Sequence, residues 1–215
     1  MKVLKKIVWK FLFAVKLAPV IQLSIESYLK EKGWFKSFLR KDAVDAGFNA
    51  VPWLTYPFVS FVEPRLQKTM RVFEYGSGNS SIWLASRVKQ IKSVEHDKNW
   101  ADKISSKMPA NATLVFIPLE YDADYCRAIQ TSDELFDIVI VDGRDRNNCV
   151  KNALQNLSET GVVIFDNSNR VQYRSSYDLL YKFGFKSIDF FGMAPGIAYE
   201  SCTTVFYRYK NCLNI

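Results

Sequence analysis

The feature that most restricts the fold is a regular alternation that begins at Met70. Apolar runs of six to eight residues, "MRVFEY", "IKSVEH", "ATLVFIPL", "FDIVIVD" and "GVVIFDN", are interleaved with helical patterns: "NSSIWLASRV", "DKNWADKISSKM", "NNCVKNALQNL" and "YRSSYDLLYKF". Continuous apolar runs of that length suit strands buried on both faces. Strands alternating with helices imply a parallel sheet, because a parallel neighbour is reached only by a crossover. The pattern then changes: "FKSIDFFG" and "SCTTVFYRYK" are β-rich runs joined by "MAPGIAYE", a terminal hairpin that adds an antiparallel strand. The reading is an α/β, Rossmann-like, mostly parallel seven-stranded sheet over residues 70–215. Residues 1–69 form a helical arm and a lid-like segment before it.

Within that segment Pro19 ends or kinks a first helix. "IQLSIESYLKEKGW" continues as a second helical piece that Gly33 can stop. Residues 34–54 read as loop-like, with "NAVPWLTYP" a compact aromatic turn, and "YPFVSFVEPRL" as a short helix. "PWLTYPF" and "GMAPGIAYE", aromatic or rich in Gly and Pro, are candidate lid pieces at the ligand edge of the sheet.

Open α/β sheets bind ligands outside the carboxyl ends of their strands. After the first strand comes Glu74-Tyr75-Gly76-Ser77-Gly78-Asn79-Ser80-Ser81. Two glycines there let backbone amides approach a ligand with no Cβ between. Glu95 ends the second strand seventeen residues after Gly78, where an acid can accept hydrogen bonds from both hydroxyls of a ribose. The pair reads as a nucleoside site. Glu74, directly before the turn, would repel a pyrophosphate and suits a cofactor with a positive end; "GSGNSS" also lacks the lysine of a phosphate-binding loop. A glycine turn by itself can serve close packing, and Glu95 by itself can cap a helix; the order of the motifs carries the reading.

Taken in order, "VFEYGSGNSSIWLA", "SVEHD", "FDIVIVDG" and "GVVIFDN" resemble the successive motifs of the class I S-adenosylmethionine-dependent methyltransferases over roughly residues 70–208. The "E-Y-G-S-G-N-S" opening with "PWLTYP" upstream is similar to a bacterial subgroup of that family. The resemblance implies S-adenosylmethionine as cofactor. Glu74 would lie near the methionine amino group, with Gly76, Ser77, Gly78 and Asn79 around the methionine part. Glu95 would hold the ribose, His96 and Asp97 would flank the adenosine, and Asp122, after the third strand, would contact the adenine. Asp142 would order the cofactor loop. The set Asp142, Asp166 and Asn167 further resembles the metal triad of catechol-type O-methyltransferases, which implies Mg2+ on three oxygen ligands. That group carries a lysine three residues after its first Asp; here Asp145 stands there, between Arg144 and Arg146. Either an ion or a guanidinium therefore settles the two carboxylates. Asp142, Arg144 and Asp145 are the catalytic candidates, Asp145 as base and Arg144 as a grip on an acidic acceptor.

The expected activity is O-methylation of a small-molecule or glycan hydroxyl. The alternative is a non-catalytic nucleoside-binding or membrane-associated scaffold. A nucleotide-dependent oxidoreductase is disfavoured by Glu74.

The formal charge is +7, and residues 1–32 carry seven lysines against Glu26 and Glu31, so the basic character belongs to the arm. No interleaved basic and aromatic motif points to nucleic acid. At about 100° per residue, Lys2, Lys5, Lys6, Lys10 and Lys16 fall within roughly 140°. Leu4, Ile7, Val8, Phe11, Leu12 and Val15 fill most of the other side. Residues 1–18 therefore read as a basic amphipathic helix that either lies on an anionic membrane surface or packs on the domain. The four cysteines form no C-x-x-C pair and no disulfide framework, and no cleavage site follows the apolar stretch, which gives a cytoplasmic expectation with membrane association.

Overall fold

The computed structural model describes residues 2–215. Met1 and the side chains of residues 2–5, among them Lys2, Leu4 and Lys5 of the amphipathic pattern, lie outside the described residues. The N-terminal part is helical: α1 (Lys2–Ala14), α2 (Ala18–Ile25), α3 (Tyr28–Glu31), α4 (Trp34–Arg40) and α5 (Tyr56–Val62). The alternation follows as β1 (Arg71–Tyr75), α6 (Asn79–Ala85), β2 (Gln90–Glu95), α7 (Lys98–Ser105), β3 (Ala112–Phe116), α8 (Asp124–Arg127), β4 (Phe136–Val141), α9 (Arg146–Ala153), β5 (Leu157–Asp166) and α10 (Arg174–Lys182). The chain closes with β6 (Lys186–Gly192) and β7 (Ser201–Tyr207).

The seven strands form one sheet in the order β3-β2-β1-β4-β5-β7-β6. Five are parallel; β7 runs antiparallel between β5 and β6. Alternate residues of each strand serve opposite faces. Phe73, Tyr75, Val139, Val141, Val163 and Phe165 meet α8, α9 and α10 on one side. Val72, Ile138, Ile140, Val162 and Ile164 meet Phe58 and Val62 of α5 and Trp83 and Leu84 of α6 on the other. This alternation places Glu74, between Phe73 and Tyr75, on the α6 side of the sheet.

Three readings are corrected. Residues 34–40, taken as loop-like, are helical: Gly33 turns left-handed at φ 80° and ends α3, but no Gly or Pro follows until Gly47, and Trp34 stacks on Phe38 with centroids 5.3 Å apart. The single helical piece after Pro19 is two, because Ser27 in extended conformation caps a new start, its Oγ accepting from the Lys30 amide at 3.1 Å. β5 begins at Leu157, ahead of its apolar run, since Leu157 still pairs with Phe136.

Candidate active site

The registers align the carboxyl ends of four strands. Tyr75 lies beside Val94 and Val141, and Val141 beside Phe165, so the residues after them, Gly76, Glu95, Asp142 and Asp166, share one edge.

The β1–β2 half is built from backbone. Gly76 sits at φ 96°, and a Cβ there would lie 3.1 Å from the Gly143 amide, so the fold itself requires this glycine. Gly78 differs: its backbone is extended, and a Cβ would meet only Trp100, at 3.7 Å. The protein does not claim that space, and Gly78 lines a small cavity. Glu95 is 4 % exposed, and its carboxylate is ringed by donors. Oε1 accepts from the His96 and Asp97 amides at 2.7 and 2.9 Å; Oε2 accepts from the Ser77 amide at 3.1 Å and the Ser77 hydroxyl at 3.3 Å. The glycine turn and the acid of β2 are thus one unit. Trp100 donates to the Ser77 carbonyl at 2.7 Å and holds the turn from α7. His96 Nδ1 lies 2.7 Å from Glu95 Oε1 but off the line of a hydrogen bond, and so stays unpartnered while buried. Asp97 caps α7 through the Trp100 amide.

Glu74 is sealed beneath the turn rather than open to the cleft. Its two oxygens accept from Ser80 and Ser81, with Ser93 at 3.4 Å. Burial pushes its pKa up to about 7, against the opposing pull of those hydroxyls. In this structure it supports the turn from beneath. Asn79 also serves the scaffold: its amide donates to Asp42 Oδ1 at 2.8 Å and the Ala43 carbonyl at 2.6 Å, tying the N-terminal segment over the start of α6.

The β4–β5 half is built from charge. Asp142 and Asp166 follow the paired residues Val141 and Phe165, and each carboxyl feels the other. Arg146, 7 % exposed, lies across them. Its Nη1 donates to the Asp166 carbonyl, its Nη2 to the Asp142 carbonyl and, at 3.0 Å, to Asp142 Oδ1, and its Nε to the Gly143 carbonyl at 2.9 Å. Thr203 donates to Asp166 Oδ1 at 2.6 Å, and the Asn167 amide to Oδ2 at 2.7 Å. Burial, then Asp166, drives the Asp142 carboxyl well above its ordinary range, with Arg146 opposing. Burial likewise raises Asp166, countered first by Thr203.

Arg144 points to solvent, so Arg146 is the guanidinium of this cluster. Asp145, at φ 49°, spends its carboxylate on loops: Oδ2 accepts from the Asp122 amide at 2.9 Å and Oδ1 from Asn148 at 2.9 Å. That assigns it to joining the loops after β3 and β4, not to a base. Asp122 meets this junction through its backbone while its side chain is exposed.

Three of the four carboxylate oxygens of Asp142 and Asp166 are already engaged. Asp166 has both engaged by hydroxyl and amide donors, Asn167 presents its NH2 to Asp166 and Ser201, and the charge that an ion would neutralise is met by Arg146. Among the described residues, no group of three or more His, Cys, Asp or Glu could hold an ion. The donor set does not fit the expected magnesium.

Two cavities share walls at this edge. One of about 80 Å³ is lined by Ser77, Gly78, Trp100, Trp53 and Asp142; the other, of about 270 Å³, by Asp142, Asp166, Asn167, Arg170, Trp53 and Tyr199. Trp53 and Asp142 stand on the boundary of both. Trp53 comes from "PWLTYPF" and Tyr199 from "GMAPGIAYE", which are joined by the Tyr56 amide donating to the Met193 carbonyl at 2.9 Å. Arg170 and Thr203 were not foreseen; the only signal for Thr203 was a polar pair, Thr203-Thr204, inside an apolar strand. A larger cavity, about 660 Å³ beside α5 and α6, is lined by none of the acids, glycines or arginines of this edge.

No family model matches the chain, and no curated protein does. Solved structures match at probability 1.00. An O-methyltransferase from Bacillus cereus in complex with SAH is 17 % identical, with 86 % of this chain and 94 % of that one covered and a TM-score of 0.57. A precorrin-6y C5,15-methyltransferase from Geobacter metallireducens is 15 % identical over 71 % of this chain and 87 % of that one, TM-score 0.56. A precorrin 8w decarboxylase from Methanobacterium thermoautotrophicum is 14 % identical over 71 % and 88 %, TM-score 0.51. At these identities the likeness shows the fold, that of class I methyltransferases.

Proposed function

We propose that this protein is an S-adenosylmethionine-dependent methyltransferase acting on a hydroxyl of a small-molecule or glycan acceptor, without a metal. The observation that carries the reading is that Asp142 lines both cavities. A ligand on the glycine turn and a ligand among the acids would touch there, as a donor and an acceptor must. The β1–β2 half fits the cofactor: Gly78 leaves room that the protein does not fill, His96 Nδ1 is a buried atom without a partner, and Glu95 suits a ribose diol that displaces the longest of its four bonds, the Ser77 hydroxyl. Bound there, S-adenosylmethionine supplies an electrophilic methyl group.

The chain's own residues then align and deprotonate the acceptor. Trp53 and Tyr199 wall the acceptor cavity, and Arg170 gives it a positive rim. Asp142, which lines that cavity and keeps 30 % of its side chain exposed, accepts the hydroxyl proton from its ionised form, which the bonded Arg146 guanidinium favours. Arg146 and Asp166 position it.

Calorimetry tests this with S-adenosylhomocysteine against NAD. The expected result is binding of the first alone. Glu95→Ala should lose two hydrogen bonds to a charged group, each worth roughly 1.5–3 kcal/mol, and Glu95→Gln, which keeps the shape, should lose most of that. Unchanged affinity in either folded variant overturns the site. Preferential NAD binding favours an oxidoreductase, and binding with no turnover on any hydroxyl acceptor favours the scaffold.

A further inference from the structure

Neither core cluster contains a residue before Val51. The N-terminal helices therefore carry apolar side chains that the domain does not bury. On α1, Ile7 is 59 % and Phe11 64 % exposed; on α2, which has no charged residue, Val20 is 61 % exposed. Ile7, Val8 and Phe11 lie on one side of α1, and Lys6 and Lys10 lie on the other, exposed. Lys16 follows at the break between the helices. Trp9 and Phe13, the latter 68 % exposed, pair their rings with centroids 6.3 Å apart and line an open cavity with Ala18 and Pro19 at the elbow, a second apolar surface that the domain leaves uncovered.

We propose that α1 and α2 dock the protein on an anionic lipid bilayer, with the Ile7–Phe11 face and Val20 set among the acyl chains and Lys6, Lys10 and Lys16 at the headgroups. The charge balance selects this occupant: seven lysines against two glutamates in residues 1–32, on a protein whose other residues are nearly balanced, complement an anionic surface. A second copy of the chain would bring the same lysines against themselves. The geometry suits a bilayer surface and not its interior, because no helix among the described residues is long and apolar enough to cross a membrane. Farther along the same arm, α4 meets the loop that lines the acceptor cavity. Trp34 of α4 donates to the Ile197 carbonyl at 2.9 Å, and Phe38, 57 % exposed, abuts Gly196, in the loop that lines that cavity.

The test is co-sedimentation of the full chain with phosphatidylcholine vesicles, with and without phosphatidylglycerol. Sedimentation is expected only with the anionic lipid and is expected to weaken in high salt. Lys6→Gln and Lys10→Gln should each weaken it about fivefold. Ile7→Ser with Phe11→Ser should weaken it about a hundredfold or more, since both side chains leave the acyl region. Thermal melting should not change in any of these variants, because none of these side chains touches the core. Equal sedimentation with both vesicles, or in all variants, overturns the proposal. So does concentration-dependent dimerisation lost in the Ile7 and Phe11 variant without any vesicle binding. The readout does not involve the cofactor, so it stands or falls apart from the proposed activity.

Discussion

Glu95 and Asp142 lie at the ends of β2 and β4, with only β1 between them, yet the two halves of the cleft treat their carboxyls in opposite ways. Glu95 is met by dipoles: three backbone amides and one hydroxyl, with no cation bonded to it. Asp142 is met by charge: a second carboxyl on one side and a single guanidinium on the other. A site made of amides is as durable as the turn that aims them, and a change in one side chain leaves most of it standing. A site made of charges in low dielectric depends on each partner, since a lost cation leaves the acids uncompensated. The difference separates the two jobs. In the proposed reaction the first half recognises a fixed group, and the second holds a proton that must move.

The largest expected break in that contrast comes from Arg146→Met. It should destabilise the fold by about 3–5 kcal/mol, the usual cost of removing one partner of a buried ion pair. Ser77→Ala, its counterpart in the other half, removes one long hydrogen bond and should cost about 1 kcal/mol or less. Urea denaturation of both variants measures the gap, and equal losses would erase the distinction.

Glu74 sharpens the contrast within the first half, because it has hydroxyls where Glu95 has amides. Its folded pKa, about 7, is raised above the ordinary 4.5. The folded state therefore binds more protons than the unfolded one between those values, and stability falls as pH rises through that window. Over the window the loss should reach roughly 3 kcal/mol. Glu74→Gln should flatten it; an equally steep pH profile in the variant would show that the carboxyl is not responsible.

The smallest effect expected is from metal. Excess magnesium, and EDTA in turn, should leave the melting temperature unchanged, because Arg146 already holds the position of an ion. A magnesium-dependent rise that Asp166→Asn abolishes would restore the metal reading.

The sheet and the first half of the cleft were legible because both follow from pattern. Apolar runs fix strands, and a glycine turn with an acid after the next strand reports backbone geometry. The second half depends on which way side chains point. Arg144 and Arg146 are two residues apart, and only the left-handed turn at Asp145 decides that Arg146 enters the cluster while Arg144 meets solvent. Asp145 stands where the similar family keeps a lysine, so it read as a base; its bonds to Asp122 and Asn148 come from a loop that no periodicity describes. For Glu74 a signal was present. Ser80, Ser81 and Ser93 all lie on the face opposite Tyr75, and three hydroxyls around one acid indicate a sealed carboxyl rather than an open one.

The place of β7 gives the protein a schedule. The strand lies between β5 and β6, and its Thr203 donates to Asp166 across 37 residues of chain, while Ser201 receives the Asn167 amide. At synthesis rates of about 5–20 residues per second, roughly 2–7 seconds separate the making of Asp166 from that of Thr203. During that interval every residue of the glycine turn and Glu95 has been made, but one edge of β5 has no neighbour and Asp166 lacks its hydroxyl partner. The acid half of the cleft waits for residues 201–207, and a polypeptide halted before them would carry all of the β1–β2 half and leave Asp166 unanchored.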